Sequence, residues 1–81
     1  MDQEQFVKLV LFMKDETDIW TVNNDILIRV PISKLDRFTE ILGQDYFETL
    51  LDCKLGYDYI VITMNDVLED EDLRIIANTL L

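Results

Sequence analysis

The stretch YDYIVITM, residues 57–64, is the clearest strand in the chain, and a strand cannot stand alone. Side chains alternate along extended backbone. Tyr57, Tyr59, Val61 and Thr63 therefore fall on one side, and Asp58, Ile60, Ile62 and Met64 on the other. Its partners have to come from elsewhere in the sequence. Ile19–Val22 and Ile26–Val30 flank the turn-forming residues NND and read as a hairpin, with Pro31 stopping the ladder. A small, mostly antiparallel three-stranded sheet over about 19–22, 26–30 and 57–64 follows.

The remaining segments carry helical signals. Ser33 is placed to cap a helix with Asp36 at its third position, and Gly43 ends it; Leu35, Phe38, Ile41 and Leu42 recur at helical spacing. A second helix begins at Asp45, with Glu48 completing a capping pattern, and stops at Gly56. Asn65 or Asp66 caps a closing helix whose inner stripe is Leu73, Ile76, Ala77 and Leu80. Residues 2–14, DQEQFVKLVLFMK, fit either a helix or a strand with Val7, Leu9, Leu11 and Met13 on one face. Acids at the front and lysine at the back favour the helix. That helix would be apolar around most of its circumference, so residues 6–13 predict self-association. The expected fold is α+β: one domain over residues 1–81, with three or four helices covering the sheet.

Charge narrows the function classes. The net charge is −10, with acids crowding both ends of the sequence and Arg29, Lys34 and Arg37 between them. Such a surface repels nucleic acid and anionic lipid, and its natural complement is a basic protein. The chain holds a single cysteine, Cys53, and no segment apolar enough to span a bilayer. Asp2 and Glu4 stand where a leader would carry Lys or Arg. These features point to a cytoplasmic protein.

Catalytic equipment is missing. There is no histidine, hence no ordinary general base or imidazole metal ligand. Ser33 is already used as a cap, Cys53 sits among acids that would raise a thiol pKa, and no glycine-rich phosphate loop exists. NDVLEDED has acids but lacks the alternation and central glycine of a calcium loop. No enzyme activity, metal or cofactor is expected.

The acids themselves are the remaining candidates. Glu69, Asp70, Glu71 and Asp72 form an unbroken run before the last helix. One or two of them complement a helix dipole; the rest repel each other. Asp45, Glu48 and Asp52 recur along one face of their helix, at one-turn spacings of about 5–6 Å. That is comparable to neighbouring phosphates on one nucleic-acid strand. Asp58 and Asp66 flank the strand between these groups. Together these nine residues form the candidate binding surface, to which Asp2 and Glu4 should contribute much less.

In size, acidity and lack of histidine, the chain resembles the small phage-type anti-CRISPR and anti-restriction inhibitors, several families of which mimic DNA. VPISKLDRFTEILG, followed by a strand and an acidic helix, is similar to the ArdA-type antirestriction layout. The resemblance implies a bacterial-host inhibitor of a nucleic-acid-binding nuclease, with carboxylates standing in for phosphates. The competing reading is an immunity, antitoxin-like or regulatory module that binds through an apolar patch with an acidic rim.

Overall fold

The computed structural model describes residues 2–43 and 58–81. The chain runs α1 (Gln3–Glu16), β1 (Asp18–Val22), β2 (Asp25–Pro31), a 3-10 turn (Ile32–Lys34), α2 (Leu35–Leu42), β3 (Tyr59–Thr63), a second 3-10 turn (Met64–Asp66) and α3 (Asp70–Leu80). The sheet order is β1-β2-β3, with both pairings antiparallel. The fold is thus α+β, a three-stranded antiparallel sheet with three helices among the described residues. The expected helix from Asp45 to Gly56 lies outside them.

Residues 2–14 resolve to a helix. Asp2 caps it by accepting the Gln5 amide at 2.7 Å, and at the far end the Thr17 hydroxyl donates to the Met13 carbonyl at 2.7 Å. Its apolar residues mostly go inward. Leu9, Phe12 and Met13 are buried and Phe6 and Val10 are half-buried against the same core. The turn between β1 and β2 has two residues, Asn23 and Asn24, with φ of +50° and +71°. Positive φ at both positions is the twist-matched hairpin turn that asparagine tolerates.

Central strand β2 decides the layering. Ile26, Ile28 and Val30 are buried on one face and meet Leu9, Met13, Leu35, Phe38, Met64 and Ile76. The rings of Phe12 and Phe38 lie 5.5 Å apart, joining α1 to α2. Every element therefore shares one core on the inner side of the sheet.

Two expected caps are corrected. Ser33 makes no capping bond: the chain leaves Pro31 through the 3-10 turn, whose Ile32 carbonyl accepts the Leu35 amide and serves that end of α2. Gly43 does end α2, at φ +105°, with its amide on the Thr39 carbonyl. Neither Asn65 nor Asp66 caps α3, which starts at Asp70 after Glu69. Asn65 is committed elsewhere: its side-chain oxygen accepts the Ile26 amide at 2.8 Å. Since β3 ends at Thr63 opposite Leu27, Asn65 supplies the bond a longer strand would have made.

Candidate interaction surfaces

One end of the molecule gathers carboxylates from three parts of the chain. The hairpin turn and Asp25 lie there, because Ile26 is tied to Asn65 just beyond β3. The first turn of α3 lies beside them: Asp70 lines a recess with Thr21, Asn24, Asn65 and Arg74. Glu69, Glu71 and Asp72 line a different recess, with Gln5 and Leu42. Gln5 also donates to the Ile41 carbonyl at 2.6 Å, which fixes the start of α1 and the end of α2 at the same place.

Asp2, Glu4, Asp25, Asp66, Glu69, Asp70 and Glu71 are all exposed there, while Asp72 is half-buried. The run from Glu69 to Asp72 is therefore no flat ladder. It splits, with Asp70 toward the hairpin and the others toward α1 and α2. Among the described residues the bases at this end are Arg74 beside Asp70, Lys8 one turn along α1, 3.9 Å from Glu4, and Arg37, which lines a recess with Asp2 and Glu4.

Asp58 does not join the group. It is exposed at the opposite end of β3, where its carbonyl accepts the Ile32 amide at 2.9 Å. The five residues of β3, about 16 Å of strand, and the following 3-10 turn separate it from Asp66. Around it the charges are mixed and paired: Arg29 with Asp18, and Lys34 with Glu16 at 3.6 Å. Asp45, Glu48 and Asp52 lie outside the described residues.

Sequence reasoning missed Asp25 and set Asp2 and Glu4 aside. The hairpin alone marks Asp25 as the first residue after a tight turn. Its neighbourhood with Asp66 and Asp70 depends on Asn65 reaching back to β2, which no local pattern shows. Asp2 joins the acidic end because α2 runs antiparallel to α1, and that too is tertiary.

A second surface is the outer face of the sheet. Trp20 stands opposite Leu27, which stands opposite Thr63; Asp18, Arg29 and Val61 form the next row, and Pro31 and Tyr59 another. Val22, Tyr59 and Val61 are each about half exposed, at 47%, 51% and 54%. The Arg29 guanidinium lies 4.8 Å from the centre of the Tyr59 ring and pairs with Asp18. Aromatic rings and an arginine on one open face are the residue types that dominate protein interfaces.

Among the described residues no group of three or more His, Cys, Asp and Glu side chains is placed to hold a metal ion, and no helix is long and apolar enough to cross a membrane. No family model, no curated protein and no solved structure matches the chain.

Proposed function

We propose that this chain is a non-enzymatic inhibitor that seats its acidic end in the basic nucleic-acid-binding surface of a partner, with carboxylates in place of phosphates. The partner class is a nuclease of a bacterial host's defence, a CRISPR effector or a restriction enzyme. The observation that carries this reading is the convergence of Asp2, Glu4, Asp25, Asp66 and Glu69–Asp72 from separate elements onto one end. Exposed carboxylates so grouped raise the local negative potential and steer a cationic partner. They also destabilise the chain that carries them, through mutual repulsion. The test is DNA cleavage by purified CRISPR effectors and restriction nucleases in the presence of the protein. Inhibition that weakens with added salt and is overcome by excess target DNA supports the proposal. Inhibition insensitive to both, or inhibition of none of them, overturns it.

The outer sheet face favours a second reading, a protein-binding module held by apolar contacts. Trp20, Leu27, Tyr59 and Val61 surround Arg29 there, with Asp18 and Asp25 at the rim. A partner held this way would be lost on Val61→Lys and would tolerate salt.

A further inference from the structure

We infer that a second copy of this chain docks on the outward face of α1, the two helices lying antiparallel about a two-fold axis. Glu4, Val7, Leu11 and Lys14 are all exposed, and their spacing of three, four and three residues lines them along one stripe of the helix. Leu9, which is fully buried, points the opposite way. The stripe therefore faces directly away from the core. Val7 and Leu11, 50% and 53% exposed, are the apolar centre, and the ends carry opposite charges.

That order makes the stripe complementary to itself in one orientation. With two copies antiparallel and the axis between Val7 and Leu11, Val7 meets Leu11 of the second copy and Glu4 meets its Lys14. The parallel arrangement sets Glu4 against Glu4 and Lys14 against Lys14. A two-fold contact uses the same patch on both copies, so this complementarity is all that symmetry asks.

Charge selects the same face. In a chain of net charge −10, two copies repel over most of their surface. Around the stripe the signs nearly balance: Lys8, Lys14 and Arg37 stand among Asp2, Glu4, Asp15 and Glu40 on α1 and the adjoining surface of α2. The antiparallel arrangement also points the two acidic ends away from each other along helices about 21 Å long. Apart from Glu4, which the contact uses, each acidic end stays free for a partner. The contact is small beside a standard interface, so the dimer is weak and concentration-dependent.

Sedimentation equilibrium of the full chain over a range of concentrations tests this. The expected result is a reversible monomer–dimer equilibrium that Leu11→Lys abolishes. Glu4→Lys and Lys14→Glu should each weaken it at least about tenfold, and the two together should restore it. All three positions are exposed, so thermal melting should show the fold retained. Failure of the double exchange to restore association would overturn the antiparallel pairing. A strictly monomeric chain, or a dimer broken by Val61→Lys and untouched by Leu11→Lys, would overturn the assignment to α1.

Discussion

Asn65 shows how one side chain can hold two parts of the chain in register. Its oxygen takes the Ile26 amide at 2.8 Å, which ties the hairpin to the segment leading into α3. Asn65→Ala leaves that amide without its partner and should cost about 1 kcal/mol, up to about 3 where water cannot reach it. Urea unfolding measures the loss, and faster exchange of the Ile26 amide would locate it. Asn24, at φ +71° and exposed, tests backbone strain apart from packing. Asn24→Ala should cost about 1–2 kcal/mol, since alanine is strained there, whereas Asn24→Gly should melt at or above the parent temperature.

The strands and α1 differ in how far local pattern carries. The hairpin and β3 were legible because alternation and turn residues are local signals, and the observed sheet follows the expected spans within a residue or two. Helix α1 was ambiguous, since a segment apolar on nearly all sides satisfies both periods. Only packing resolves it, by burying Leu9, Phe12 and Met13 between the sheet and α2. The Ser33 and Asn65 caps were misread for a related reason: a polar residue ahead of an apolar stripe looks like a cap whether or not a 3-10 turn intervenes. The two faces of the sheet give a direct contrast. Ile28→Ala, in the core, should cost about 2–5 kcal/mol. Val61→Ala, on the outer face, should stay within about 0.5 kcal/mol. Denaturant midpoints of the two variants check the layering; a large loss at Val61 would mean that something covers that face.

At the scale of the whole molecule, the described residues are polarised in charge along the strand direction. Asp25, Asp66 and Glu69–Asp72 share one end with Asp2 and Glu4, while the other end holds the Arg29–Asp18 and Lys34–Glu16 pairs. Composition showed the acidity but not its placement, because the grouping depends on contacts between elements far apart in sequence. The decisive comparison is between two variants of equal net charge. One carries Glu69→Gln, Asp70→Asn, Glu71→Gln and Asp72→Asn; the other carries Asp15→Asn, Glu16→Gln, Asp18→Asn and Asp58→Asn. Neutral replacements are chosen because lysines in the first turn of α3 would oppose its dipole. With melting as the fold control, inhibition of DNA cleavage by a responsive nuclease should weaken at least about tenfold in the first variant and stay near the parent in the second. Equal inhibition by both variants would show that the acidic end does not carry binding.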